Sequence, residues 1–166
     1  PTGRIKSRLR VLVRPLIFYW RRTMSNFINI TGHDLCPAVV EDALKSLPYG
    51  SQDSRYLSAK VVARYYSCAY TAYVLENGNE EGKVDGLVYG IARIGNNDFE
   101  YGDLSLSEFA HLSIPMQLSE STFAVGVERD DSVQPLSMTL GECFVKYGEE
   151  IPMWIQEADR ARQAGF

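Results

Sequence analysis

Four consecutive charged residues, Glu128-Arg129-Asp130-Asp131, concentrate the acid-base chemistry of the chain. They follow the apolar alternation "FAVGV" and so belong at a strand end, where Arg129 can pair with one carboxylate and position the others. Carboxylates move protons when they converge in a pocket that raises one pKa. Glu128, Asp130 and Asp131 are therefore the catalytic candidates, with Glu76 as a fourth acid. No nucleophile, metal set or phosphate loop accompanies them, which leaves structural ion pairing as the simplest use.

Other spacings offer less. Glu108 and His111, three apart, can share a helix face as metal or acid-base pairs do, but no third ligand lies nearby. Glu108 also completes Ser105-Leu106-Ser107-Glu108, the form of a capping box. His33-Asp34-x-Cys36 sets a thiol near an imidazole, yet at a helix start it is more simply a cap followed by a buried thiol. Tyr65, Tyr66, Tyr70, Tyr73 and Tyr89 invite a stacking platform for single-stranded nucleic acid, which needs a basic groove as well. "GLVYG" has the wrong spacing for a phosphate-cradling loop and sits in a strand. No metal and no cofactor are expected.

The elements that must carry these residues are legible in outline. "DLCPAVVEDALKSL" places Leu35, Val39, Ala43 and Leu47 on one helical stripe, with Pro37 tolerated in a first turn. "SAKVVARYYSCAYTAYVLE" is rich in β-branched and aromatic residues and long enough for two strands, over 60–66 and 69–76, joined near Ser67-Cys68. "NGNEEGK" is a loop by its chemistry, "VDGLVYGIARI" supplies another strand, and "GNN" turns the chain again. Residues 99–103 alternate as an antiparallel strand should, and Ser105 then opens a helix in which Leu106 and Phe109 are buried together with Leu104 and Leu112. Thr139-Leu140-Gly141-Glu142 repeats the cap signature, and a terminal helix follows Pro152. The order α, four meandering β, α, β, α, α predicts an α+β fold: an antiparallel meander of about four to five strands with helices on one face.

Charge divides the chain at Met24. Residues 1–23 hold seven basic side chains and no acid, whereas 24–166 hold ten basic groups against 21 acids, a net of −11 within a chain of −4. Arg14-Pro15 interrupts the apolar stretch "RVLVRPLIFYW", no small-residue cleavage site follows, and "MSNFINITGHDL" reads as a natural cytosolic start. The leader over 1–23 is thus expected to be extraneous or disordered, and 24–166 to be a single acidic domain. Three cysteines without C-x-x-C pairing fit a reducing cytoplasm. No apolar run approaches the length needed to cross a bilayer.

Over 57–135, "AKVVARYYSCAYTAYVLE", "GLVYGIA", "YGDLSLSEF" and "GVERDDSVQP" occur in an order that resembles the domain-of-unknown-function family DUF2958. The tryptophan-rich strand of that family stands here as Tyr70-Thr71-Ala72-Tyr73. The resemblance implies a small protein of plasmids, phages and other mobile elements, with no reaction established for the family as a whole.

What remains to carry function is charge. Asp85, Asp98, Glu100 and Asp103 fall along consecutive turns and strands. Projected from one sheet edge, with Arg129 as a further contact, they would repel nucleic acid and attract proteins that bind it. The expectation is a non-enzymatic interaction protein, an acidic antagonist of a host nuclease or defence complex, with a protein partner and neither nucleic acid nor membrane bound directly. The alternatives are a small carboxylate-dependent enzyme and an accessory structural domain.

Overall fold

The computed structural model describes residues 27–165, so the basic leader over 1–23 lies outside the described residues. Helix α1 (Ala38–Ser46) begins after Pro37, whose fixed φ and missing N–H suit a helix entrance. That start shifts the apolar stripe. Leu35 is buried but precedes the helix, so Val40, Ala43 and Leu44 pack inward and Val39, expected on the stripe, is 59% exposed.

Strands β1 (Ala63–Ser67) and β2 (Tyr70–Asn77) form the expected hairpin, with Cys68 and Ala69 at its turn. β1 begins later than residue 60, because Lys60 bridges instead to Thr139. Strands β3 (Leu87–Ile94) and β4 (Glu100–Ser105) continue the meander, and helix α2 (Leu106–His111) follows directly. The Ser105 side chain accepts the Glu108 N–H at 3.2 Å, the serine half of the capping box. Leu106 and Phe109 are buried, but Leu112 follows the last helical turn and is exposed, contrary to the pattern-based expectation.

The single strand expected between α2 and the next helix is three. β5 (Ile114–Leu118) and β6 (Ser121–Val125) pair as a separate two-stranded ribbon, and β7 (Glu128–Arg129) adds to the main sheet beside β1. Helix α3 (Leu140–Tyr147) carries the complete reciprocal capping box between Thr139 and Glu142, and α4 (Met153–Gln163) starts after Pro152.

The main sheet is antiparallel with strand order β4-β3-β2-β1-β7, which confirms the α+β meander. Helical cover is more extensive than one face. Ala63, Tyr65, Ala72, Val74 and Val88 pack with α1 and α2, whereas Tyr73 and Ile91, which point the other way by strand alternation, pack with Phe99, α3 and α4. Two cores therefore sandwich the sheet. Among the described residues, no helix is long and apolar enough to cross a membrane.

Candidate functional site

Glu76 gains its place from a bulge. Tyr73 pairs with Ile91 and Val74 with Gly90, but the next pair is Glu76 with Tyr89, so Leu75 is the extra residue. Unbroken alternation would send Glu76 to the face of Ala72 and Val74; the bulge resets the period and brings it to the face of Tyr73, Tyr89 and Ile91. Gly90 permits this close pairing, since a Cβ there would lie 2.2 Å from the Tyr73 carbonyl oxygen.

The Glu76 side chain, 2% exposed, is held from the loop after α1. Its Oε1 accepts the Gly50 N–H at 2.8 Å; Oε2 accepts the Gln52 N–H at 2.8 Å and the Ser51 hydroxyl at 3.2 Å. Gly50 has φ +82, the left-handed conformation that glycine adopts without a Cβ penalty. Gln52 pins the loop in turn, donating to the carbonyls of Lys60 and Leu75 and accepting the Lys60 N–H at 2.6 Å. The buried Glu76 and Gln52 side chains of this loop-to-strand junction are thus each satisfied by specific partners.

Glu76 lines a cavity of about 150 Å³ with Gln52, Asp53, Ser54, Tyr56, Tyr89 and Tyr101. Tyr89 and Tyr101 come from adjacent strands, their ring planes 3° from parallel and centroids 6.2 Å apart. Tyr49 meets Tyr89 edge-on at 5.4 Å and Trp154 of α4 meets Tyr101 at 5.5 Å, which extends the aromatic row at both ends. Burial, then the neighbouring Tyr89, Tyr56 and Asp159, push the Tyr101 phenol up to about 12. Burial and the nearby Tyr49, Glu76, Asp53 and Asp103 raise Tyr89 as well. Both rings stay protonated and neutral at physiological pH.

Of the expected binding acids, Asp103 shares the sheet face of this cavity, whereas Glu100 lies on the opposite face. Among the described residues β4 is the free edge of the main sheet; it bears Glu100 and Asp103, both exposed, and Asp98 precedes it. Asp103 is the cross-strand partner of Tyr89. Asp98 and Glu100 line a separate recess of about 300 Å³ with Tyr70, Ile94, Tyr101 and Leu104. Asp85 is exposed before β3, where its side chain accepts the Leu87 N–H at 3.2 Å. Arg129 does not belong to this group. It sits at the opposite edge on β7, ion-paired with Asp131 and donating to the Asp34 carbonyl at 3.4 Å.

The four catalytic candidates divide among three networks. Glu76 has the loop just described. Glu128 accepts the Thr31 hydroxyl at 2.7 Å and meets His33 Nδ1 at 2.5 Å, while Asp131 lies 3.5 Å from His33 Nε2. Asp130 meets Arg64 at 3.1 Å, accepts from the Tyr147 hydroxyl at 2.6 Å and from both the N–H and hydroxyl of Ser132. Partial burial disfavours the charge of Glu128, but the hydrogen bonds from Thr31 and His33 outweigh it and lower its pKa. Asp130 is lowered likewise: burial opposes, and Tyr147, Ser132 and Arg64 prevail. A general acid needs the opposite shift. Cys36 is buried, its thiol pushed up to about 12 by burial and the acids Glu41 and Asp34, so it is no thiolate beside His33. His33 instead serves Glu128, and Asp34 accepts the Cys36 N–H at 2.9 Å. His111 turns back to the Ser107 carbonyl at 2.7 Å, and among the described residues no group of three or more His, Cys, Asp or Glu could hold a metal ion.

Arg64 makes a second aromatic and acidic site, already filled. Its guanidinium lies 4.0 Å from the Tyr147 ring centroid, 5.0 Å from Tyr66 and 5.8 Å from Tyr73, beside the Asp130 carboxylate. Among the described residues, Arg64 Nε and the Tyr73 hydroxyl are buried without a partner of good hydrogen-bonding geometry, although the phenol is near enough to help keep the guanidinium charged. Burial opposes that charge, and Tyr73, Asp130 and Tyr147 outweigh it.

Comparison with family models, with curated proteins and with solved structures finds no match. The molecule is defined by what its own residues build: an α+β fold with acids along one sheet edge, an aromatic cavity over a buried carboxylate, and Glu128, Asp130 and Asp131 paired with basic side chains.

Proposed function

We propose that this chain is a non-enzymatic interaction protein that engages the basic surface of a nucleic-acid-binding protein through the β4 edge, in the manner of an antagonist of a nuclease or defence complex encoded by a mobile element. The observation that carries this reading is the place of Asp103 on the edge strand β4, cross-strand from Tyr89 of the cavity over Glu76, with Glu100 and Asp98 exposed on and before the same strand. Acids on an edge also keep it from pairing with other sheets. Beside an aromatic cavity they do more, because they attract cationic partners over a Debye length and leave the rings to make the close contacts.

The test is retention of nucleic-acid-binding proteins from a bacterial lysate by the wild-type chain and by an Asp98→Lys, Glu100→Lys, Asp103→Lys variant. Retention at low salt that falls at high salt and disappears in the folded variant supports the reading. Equal retention by both chains, or none by the wild type at low salt, sinks it.

A further inference from the structure

Among the described residues, every cation over an aromatic ring serves a ring outside the Glu76 cavity. Arg64 covers Tyr66, Tyr73 and Tyr147; Arg93 lies 4.7 Å from the Phe99 centroid and pairs with Glu149 at 2.7 Å; Lys146 lies 5.0 Å from Tyr147. Tyr89 and Tyr101 line their cavity among aromatic rings and a carboxylate, the surroundings that Arg64 has, and among the described residues no cation lies over either ring. Aromatic faces attract cations through the ring quadrupole, and the attraction grows when water is displaced. A buried carboxylate beneath them adds a fixed negative charge, and Asp53 and Asp103 at the rim add more.

We infer that the cavity formed by Glu76, Tyr89, Tyr101 and Tyr56 binds an organic cation, a guanidinium or alkylammonium head. This rests on the reading of the face as a surface for a basic partner, and it names the group such a partner inserts: an arginine or lysine side chain. A free amine offers the same head, so the two sources must be separated by experiment. The Glu76 carboxylate keeps the hydrogen bonds from Gly50, Ser51 and Gln52 and acts on the ligand through its charge. The parallel Tyr89 and Tyr101 rings form the wall the cation lies against.

Trp154, edge-on to Tyr101, supplies an intrinsic fluorescence reporter. The full chain is titrated with n-butylguanidinium, n-butylammonium and the capped tripeptides Gly-Arg-Gly and Gly-Lys-Gly, with sodium chloride at matched ionic strength and n-butanol as controls. The inference expects saturable quenching or shift by the cations, none by salt or butanol, and binding about fivefold or more weaker in Tyr89→Leu, Tyr101→Leu. Tyr101→Phe, which keeps the ring, should bind as the wild type does. Melting curves by circular dichroism establish that each variant is folded.

Equal response to butanol, unchanged affinity in the folded leucine variant, or no saturable binding by any cation would overturn the inference. Tripeptides that bind at least as tightly as the free heads support a side chain as the ligand. Exclusion of the tripeptides while free heads bind overturns that source. Because these titrations use no protein partner, their failure leaves the lysate test of the acidic edge standing, and failure of the lysate test leaves the cavity chemistry standing.

Discussion

The Arg64 site and the Glu76 cavity are built from the same materials and differ in one component. Around Arg64, Tyr66, Tyr73 and Tyr147 surround a guanidinium that is also paired with Asp130. Around Glu76, Tyr56, Tyr89 and Tyr101 surround a cavity, and the carboxylate is compensated by loop N–H groups and a hydroxyl. The first arrangement spends its aromatic faces on holding β1, β7 and α3 together. The second holds its loop through the Glu76 carboxylate and the Gln52 amide, and among the described residues no cation lies over its rings. Glu128, Asp130 and Asp131 each face a basic side chain of their own fold, and this separates the Glu128-Arg129-Asp130-Asp131 cluster from the β4 edge, whose acids face none among the described residues.

The difference can be broken at either site. Arg64→Met removes the cation and leaves Asp130 beside three rings without its charge partner; it should cost about 3 kcal/mol in denaturant unfolding. Adding Asp130→Leu should return part of that loss, since the stranded carboxylate is then gone. Glu76→Gln should cost about 2 kcal/mol, because charge-assisted bonds to Gly50, Ser51 and Gln52 are weakened. A loss at Glu76 greater than that at Arg64 would invert the assignment of structural and open sites.

Acid sharpens the contrast. Asp130 has its folded pKa lowered, so the unfolded chain binds the proton more readily. The stability this contributes is present above the ordinary aspartate value of about 4 and is lost as pH falls through the folded value. Asp130→Asn should flatten that acid limb in melts taken across the range. Tyr101→Phe is the smallest change: its hydroxyl has no part in the loop bonds to Glu76, and stability should stay within about 0.5 kcal/mol of wild type.

How much of this the sequence disclosed depends on how local each signal is. The β1–β2 hairpin, β3 and β4 declare themselves through β-branched and aromatic runs broken by turn residues, and Thr139 with Glu142 declares α3. The alternation "FAVGV" discloses residues 123–125 of β6, but β5 hides behind Pro115 and the polar Ser119-Glu120-Ser121 turn, a pattern that reads as loop. The acids of the β4 edge were legible because they are neighbours in the chain. The cavity was not. Grouping Tyr65, Tyr66, Tyr70, Tyr73 and Tyr89 by proximity in sequence scatters them over both faces, where Tyr65 and Tyr73 are core. Its true members, Tyr56, Tyr89 and Tyr101, come from three segments, and Glu76 joins them only through a bulge at Leu75 that no propensity signals.

The central claim is that one aromatic and acidic site holds its own cation and the other awaits one. It is tested most directly by following assigned tyrosine ring resonances during titration with n-butylguanidinium chloride, against sodium chloride at the same ionic strength. The account predicts saturable shifts at Tyr89 and Tyr101 with Tyr147, already under Arg64, unmoved. Shifts at Tyr147 equal to those at Tyr89 and Tyr101, or saturable shifts at none of the three, would contradict it.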